Sequence, residues 1–356
     1  FMSEHLRFFS AEALTPFQNK RNNELHVADQ IHIPNSEQSL TDNLELAKQQ
    51  GVKYVVVGIP EDIGPRANCG NGGADKGWDN FLPVFLNQQA NGFFDWQQCL
   101  LLGHVEVDDL QKQSTQACCS DHLLDTLRAL CEQVDARVKS VLTPIFEMGF
   151  EIIVIGGGHN NAYPIIHALS DATNKQVACV NMDPHADFRA LEGRHSGNPF
   201  RYAYDNKFLS HYALIGLHEQ KNNQETITGL QQANFPYYSY QSLVMEQQQT
   251  FEDALYESRE YISETSGPIG IELDLDSIKN AGASAYSVAG FSLEQAIRYV
   301  YRSSTLRSTR YIHLCEGAPA MHEHSEYGSF DVGQMLTQLT YAYLKARTDK
   351  EPELPI

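Results

Sequence analysis

The chain has 356 residues, of which 42% are hydrophobic and 20% are charged, as expected for a globular protein with a large buried core. Its 45 acidic residues outnumber its 26 lysines and arginines, so the formal net charge is −19. Such a surface repels nucleic acids and acidic membranes, and neither is an expected partner.

Short apolar runs alternate along the chain with segments of helical periodicity. The apolar runs predict β-strands over residues 53–60, 98–105, 151–158, 175–183, 212–217, 235–240, 267–276 and 310–317. Apolar positions at helical spacing predict helices over residues 121–148, 160–170, 249–263, 292–303 and 329–346, the first with Asp121 as its N-cap.

This alternation predicts an α/β protein, built as a single three-layer αβα domain with a mostly parallel central sheet. Residues 1–50 are polar and rich in Gln and Asn, so we expect an N-terminal extension that packs on the domain. Residues 51–350 would form the domain itself, because no linker or internal repeat interrupts them.

The cysteine pattern bears on the cellular compartment. The seven cysteines are an odd number without paired CxxC spacing, which favours reduced thiols over a disulfide framework. No apolar run approaches membrane-spanning length. A cytoplasmic protein is therefore expected.

Polar side chains collect where several predicted strands end. Ligands bind beyond the carboxyl ends of the strands in a parallel sheet. The segments GGGH, DPHAD, ELDLD and CEG carry these residues: His159; Asp183, His185 and Asp187; Glu272, Asp274 and Asp276; and Glu316. Residues two apart on a strand point the same way, so Asp274 and Asp276 can face one site.

Two histidines and four aspartates at one sheet edge would repel one another unless a cation neutralised them. Carboxylate oxygens and imidazole nitrogens suit Mn²⁺, Mg²⁺ or Fe²⁺ better than an ion that prefers thiolates. Six ligands exceed what one catalytic ion with an open position needs, but they fit two ions that share carboxylates. The sequence thus predicts a dinuclear metal site.

The motifs GGGH, DxHxD, SGN and DxD, followed by an acidic strand end, resemble those of the arginase/agmatinase/formimidoylglutamase (ureohydrolase) family over about residues 53–345. GNPFR and Asp187-Phe188-Arg189 are most similar to formimidoylglutamases. Phe200 stands where arginases and agmatinases have a proton-shuttling His, and Asn160 where many formimidoylglutamases have Glu. The resemblance implies an arginase-like α/β domain with two Mn²⁺ ions per chain.

The same resemblance implies the ligands of each ion. One ion would be held by His159, Asp183, Asp187 and Asp274. The second would be held by Asp183, His185, Asp274 and Asp276. Asp183 and Asp274 would bridge the two ions.

The expected activity is hydrolysis of the amidine C–N bond of N-formimino-L-glutamate to L-glutamate and formamide, a step of histidine degradation. Asp276 would pass a proton to the leaving amine, and Glu316 would pair with the cationic amidinium. Arg189 and Arg201 are candidates for the substrate carboxylates, because a guanidinium binds a carboxylate in a bidentate manner. Ser196 and Asn198 could hydrogen-bond the amino-acid end.

Three alternatives remain open from the sequence. An arginase, agmatinase or guanidino-acid hydrolase would release urea instead of formamide. A non-catalytic family member would keep the fold for assembly or regulation. A two-metal phosphoesterase is disfavoured because no phosphate-binding loop is present. The small substrate would be anionic, and family analogy suggests a homo-oligomer.

Overall fold

The computed structural model describes residues 5–19, 21–117 and 122–349. The predicted N-cap Asp121 lies outside these ranges. Within them the strands are β1 Leu6–Phe8, β2 Tyr54–Gly58, β3 Cys99–Val105, β4 Glu151–Ile155, β5 Val177–Met182, β6 Leu209–Leu217, β7 Tyr237–Ser239, β8 Ile269–Asp274 and β9 Thr309–Cys315.

These nine strands form one sheet in the order β1-β3-β2-β4-β9-β8-β5-β6-β7. All neighbours pair in parallel except β1, which runs antiparallel to β3. The predicted fold class, α/β with a mostly parallel sheet, is confirmed. Every strand predicted from an apolar run is present.

Several strands end earlier than the apolar runs predict. β4 stops at Ile155 because Gly156 and Gly157 turn the backbone into the left-handed region, with φ of 85° and 71°. β9 stops at Cys315 because Glu316 adopts φ of 64°. The residues after these stops are released from the sheet, so their side chains can turn towards one another.

Helices cover both faces of the sheet. Their bounds are α1 Ala11–Leu14, α2 Val27–Gln30, α3 Leu40–Gln49, α4 Ile63–Ala67, α5 Gly77–Leu86, α6 Asp108–Gln116, α7 Leu123–Glu147, α8 Ala162–Thr173, α9 Pro199–Asp205, α10 Gln224–Gln232, α11 Phe251–Ser263, α12 Leu293–Ser304 and α13 Ser325–Thr348. The helices α5, α11, α12 and α13 pack on one face, and α3, α7 and α8 pack on the other.

Alternation along the central strands feeds two separate cores. In β4, Ile153 and Ile155 face the first core, whereas Ile152 and Val154 face the second. Strands with two covered faces need apolar residues throughout, which is why these segments read as continuous apolar runs. The centre of the sheet is therefore rigid on both sides, and it fixes the positions of the strand ends.

The N-terminal segment is integrated with the sheet. β1 extends the sheet beyond β3, and Leu14 and Val27 lie in one core while Leu44 lies in the other. These elements were missed in the sequence because β1 has three residues and the surrounding segment is polar. The predicted division of the chain at residue 50 stays a prediction. In the part of the chain that the structure describes, no helix combines the length and apolar character needed to cross a bilayer.

Candidate metal centre and substrate cavity

The site lies beyond the carboxyl ends of four adjacent strands, β4, β9, β8 and β5. His159 follows β4, Glu316 follows β9, Asp276 follows β8, and Asp183 follows β5. A cavity of about 210 Å³ opens at this edge. Its lining includes five of the predicted site residues at its floor: His185, Asp187, Asp274, Asp276 and Glu316.

The predicted ligands form two groups of converging donor atoms. One contains His159, Asp183, Asp187 and Asp274, and the other contains His185, Asp274 and Asp276; within each group all ligand atoms lie within 4.8 Å of one another. His159 Nδ1 is 2.8 Å from both Asp183 Oδ2 and Asp187 Oδ2. His185 Nδ1 is 3.5 Å from Asp183 Oδ1 and 3.7 Å from Asp276 Oδ2. Asp183 and Asp274 thus contact ligands of both predicted ions.

The two-residue spacing in DPH and DLD has a structural reason. Asp183 Oδ1 accepts a hydrogen bond from the backbone N–H of His185, and Asp274 Oδ1 accepts one from the backbone N–H of Asp276, each at 2.7 Å. Such local turns fix the aspartate side chains where the strands end. The Oδ2 atoms of Asp183 and Asp274 point instead towards His159 Nδ1, at 2.8 and 3.6 Å.

Glu272 orients the ring of His159 from beneath the site. Its Oε2 lies 3.2 Å from His159 Nε2 and 2.8 Å from His313 Nδ1, and its Oε1 accepts a hydrogen bond from Tyr311 Oη at 2.7 Å. Glu272 and His313 are direct partners across β8 and β9. A proton on His159 Nε2 leaves Nδ1 with a free lone pair that faces the aspartates, as a metal ligand requires.

Glu61 holds the glycine-rich loop that presents His159. This fully buried carboxylate accepts hydrogen bonds from the backbone N–H groups of Gly158 and Gly64, at 2.8 and 3.1 Å. It also accepts from the side-chain amides of Asn160 and Asn161, at 3.1 and 2.6 Å. Asn160, the departure from the GGGHE pattern, therefore belongs to the support of the loop.

The carboxylates of this site repel one another. Burial and the charge of Asp183 raise the pKa of Asp187 to about 8. Burial and the charge of Asp274 raise the pKa of Asp276 well above its usual value. Burial lowers the pKa of His185, but its contact with Asp183 outweighs this and raises it to about 10. The side chains need added positive charge, and their oxygen and imidazole donors fit two hard or borderline divalent cations.

Glu316 is held rigidly at the cavity floor. Its Oε1 accepts the backbone N–H of His159 at 2.7 Å, and its Oε2 accepts the hydroxyl of Ser284 at 2.5 Å. Burial and the charges of Asp274 and Asp276 raise its pKa well above the usual range. Glu316 has φ of 64°, which is a strained conformation for a residue other than glycine. Such strain persists where the surroundings fix the geometry, as the two hydrogen bonds do here.

The predicted substrate contacts divide into two pairs. Arg189 and Ser196 line the cavity. Asn198 is fully buried, and its amide and carbonyl bond within the loop, to Gly193 O at 2.8 Å and to Arg194 Nη1 at 2.7 Å. Arg201 lies against the Phe188 ring at 5.3 Å, with Asp205 3.7 Å away. Asn198 and Arg201 are not among the residues that line the cavity, since both turn inward from the loop and α9.

Phe200 stands where the sequence resemblance places the proton-shuttling histidine of arginases and agmatinases. It packs edge-on against His159, with ring centroids 5.3 Å apart. Its other face stacks on Tyr212 at 4.3 Å. The ring is fully buried, so it shields the first ligand group from solvent. It carries no proton-transferring group.

Sequence reasoning missed Glu61, Lys221 and Asn222, and gave Glu272 no role. Glu61 has a visible signal, because it is an acid in the short connection between the buried strand β2, which ends at Gly58, and the helix α4, which begins at Ile63. Lys221 and Asn222 lie after β6 and line the cavity, but an isolated lysine in a polar loop carries no signal in the sequence. Their placement follows from the folding of β6 beside β5.

Comparison with known proteins identifies the relatives of this chain. A model of the arginase family matches residues 52–339. A formimidoylglutamase of Streptococcus gordonii is 26% identical over 188 residues, which cover 49% of this chain and 49% of that protein. One from Klebsiella pneumoniae is 28% identical over 176 residues, covering 48% of each. The match spans about half the length of these curated relatives.

Solved structures share the fold over most of the chain. A Trypanosoma cruzi formiminoglutamase solved with Mn²⁺ has a TM-score of 0.66 at 19% identity and covers 90% of this chain and 99% of its own. The Bacillus subtilis formimidoylglutamase has a TM-score of 0.71 at 15% identity, covering 92% of this chain and 94% of its own.

Proposed function

This chain belongs to the arginase family, and from that membership we propose that it cleaves the amidine C–N bond of N-formimino-L-glutamate to give L-glutamate and formamide. The observation that carries the proposal is the convergence of two histidines and four aspartates, four of which (His185, Asp187, Asp274 and Asp276) line one cavity. The relatives named formimidoylglutamase support the choice of substrate.

We propose that two Mn²⁺ ions are the cofactor. His159, Asp183, Asp187 and Asp274 would hold one ion, and Asp183, His185, Asp274 and Asp276 the other. When bound, two such ions lower the pKa of a water molecule so that it serves as a nucleophile at neutral pH. Glu272 keeps His159 Nδ1 available as a donor, and Glu61 keeps the loop of His159 in place.

The chain's own carboxylates orient the substrate and move the proton. Glu316 faces the cavity and would pair with the amidinium, which places the amidine carbon above the floor. Asp276 keeps Oδ1 bonded to the backbone N–H of Ala285 at 2.9 Å, which leaves Oδ2 to take up the proton of the attacking water and hand it to the leaving amine. Arg189 and Ser196 would hold the amino-acid end of the substrate at the cavity mouth.

Phe200 favours an amidine over a guanidine substrate. A guanidine enzyme with a histidine at this position has an additional proton carrier, whereas a phenyl ring carries none. Because Phe200 cannot carry a proton, we assign the proton transfer to Asp276, which lines the cavity floor.

A substrate panel tests the proposal. The Mn²⁺-loaded protein should release formamide from N-formimino-L-glutamate and no urea from arginine, agmatine or 4-guanidinobutyrate. The variant Asp276→Asn, of the same size, should lose most of the activity. Urea release would favour the guanidine-hydrolase alternative. Release of neither product would favour a non-catalytic family member.

We also propose a cytoplasmic location and self-association of the chain. The described cysteines are Cys69, Cys99, Cys131, Cys179 and Cys315, and all are free thiols. Free thiols support a reducing compartment such as the cytoplasm, where histidine degradation would take place. Exposed Tyr327 and Phe330 on α13 support self-association, which size-exclusion chromatography with light scattering would measure.

A further inference from the structure

Two cationic side chains line the mouth of the cavity, and they come from different loops. Arg189 lies in the metal-ligand loop after β5, and Lys221 lies in the short turn after β6. Both side chains are exposed. The acidic residues of the lining are the floor carboxylates Asp187, Asp274, Asp276 and Glu316. The cavity thus has an acidic floor and a basic rim.

The turn that carries Lys221 is tied to the metal-ligand loop. Asn222 Oδ1 accepts the backbone N–H of Ala186 at 2.8 Å, and its amide donates to Pro184 O at 3.0 Å and His218 O at 2.8 Å. The backbone N–H of His218 also donates to Pro184 O at 2.9 Å. These bonds fix the start of the Lys221 side chain relative to the floor of the site.

The ammonium group of Lys221 is available to a ligand. Among the described residues none forms an ion pair with Lys221, whereas Arg189 Nε has Glu192 at 3.7 Å. The four aspartate ligands carry charges that two divalent ions would balance. With the floor neutralised, the rim attracts anions in a protein whose net charge is −19.

We propose that Lys221 is a specificity-determining residue that binds one substrate carboxylate while Arg189 binds the other, so that the site selects amidines with two carboxylates. This inference rests on the proposed function. A guanidinium grips a carboxylate through two parallel hydrogen bonds, and an ammonium acts as a compact point charge. Arg189 and Lys221 thus offer one cationic partner to each carboxylate of a glutamate-like end group.

Binding of L-glutamate to the Mn²⁺-loaded protein tests the inference without requiring turnover. Calorimetry should show that Lys221→Met weakens the affinity about 10- to 100-fold, the value of one charge-assisted contact. Lys221→Arg should restore most of it. The control Lys53→Met removes the same charge just before β2, at the opposite end of the strands, and should leave the affinity unchanged.

The kinetic readout separates specificity from structure. With N-formimino-L-glutamate, Lys221→Met should raise KM about as much as it weakens glutamate binding, with kcat within about twofold of the wild type. Equal glutamate affinities of wild type and Lys221→Met, or no binding by either, would overturn the inference. If glutamate binding depends on Lys221 but no formamide is released, the proposed function is wrong, whereas the inference that Lys221 binds a carboxylate stands.

Discussion

Glu272 is the residue whose charge fixes the protonation of His159, a proposed metal ligand. His313 and His159 outweigh its burial and lower its pKa to about 2, so it remains ionised and accepts a hydrogen bond from His159 Nε2–H. A neutral amide at this position would present its own N–H to the ring and favour the wrong tautomer. Glu272 therefore acts through His159 and is a positioning residue.

We expect Glu272→Gln to weaken Mn²⁺ binding about 10- to 100-fold, the usual effect of losing the partner of a ligating histidine. Competition with a fluorescent chelator measures the dissociation constant. Glu257→Gln, on the exposed face of α11, is the control and should keep wild-type affinity. An unchanged affinity in Glu272→Gln would show that His159 does not need this partner.

Metal affinity should also depend on pH with a defined sign. Without metal, Asp187 holds a proton below its pKa of about 8, and His185 below about 10. Mn²⁺ must displace these protons, so affinity rises with pH, by about tenfold per pH unit for each proton displaced. Dissociation constants at pH 6, 7 and 8 measure the slope. A value independent of pH would contradict the proton competition.

The glycine-rich loop after β4 is the element that places His159. Gly157 has φ of 71°, and a Cβ there would lie 2.5 Å from Asn161 Nδ2 and 2.9 Å from Ile59 O. Gly157→Ala should therefore lower the free energy of unfolding by about 3 kcal/mol, from backbone strain and the clash together. Denaturant titration measures this loss, and the affinity for Mn²⁺ should fall with it.

Two other glycines serve as controls that separate the cost of backbone strain from the cost of a steric clash. Gly149 has φ of 87°, and a Cβ there would have no atom within 4 Å, so Gly149→Ala should cost about 1 kcal/mol from strain alone. Gly92 has open space and no positive φ, so Gly92→Ala should have almost no effect. If Gly157→Ala costs no more than Gly149→Ala, the loop has room that the structure does not indicate.

The elements that could be predicted are those encoded by residues close together in the sequence. Buried parallel strands read as apolar runs, and the Asp-x-His and Asp-x-Asp turns form within a few residues, so both could be found in the sequence. The partnership of Glu272 with His313 depends on the register of β8 and β9, whose residues are 41 apart in the chain. No single-sequence pattern encodes that register.

Side-chain direction decides which of the proposed substrate contacts line the cavity. Arg201 is a proposed substrate contact because it is close to the metal-ligand loop in sequence, and in the structure it packs on Phe188 and is not among the residues that line the cavity. Lys221 is closer to the cavity although it is farther away in sequence, because β6 pairs with β5. Distance along the chain therefore does not predict which side chains line the cavity once a helix intervenes.

Across the whole molecule, one end of the sheet carries the candidate metal centre and the opposite end carries a stabilising ion pair. At the end opposite the metal centre, buried Arg347 of α13 makes a bidentate pair with Glu151 at the start of β4, with both distances 2.9 Å. Arg347 also donates to the backbone oxygens of Ser304 and Leu306 at 2.8 Å. This pair joins the last helix to the centre of the sheet.

Arg347→Met should lower the free energy of unfolding by about 3–5 kcal/mol, because it leaves the partly buried Glu151 carboxylate without a cationic partner, with only the hydroxyl of Tyr343 among the described side chains bonded to it. The affinity of the folded protein for Mn²⁺ should not change. Arg298→Met removes an exposed pair with Glu252 and should cost less than about 1 kcal/mol. Thermal and denaturant unfolding compare the two, and similar losses would mean that the Glu151 pair adds no stability of its own.

The sheet order has a consequence for biosynthesis. Among the strands of the described residues, β9 is synthesised after the eight others, yet it inserts between β4 and β8, and Glu316 directly follows it. A nascent chain that ends before Thr309 leaves the flanks of β4 and β8 open to pairing with other chains. Truncations before Thr309 should therefore yield insoluble protein that lacks Glu316.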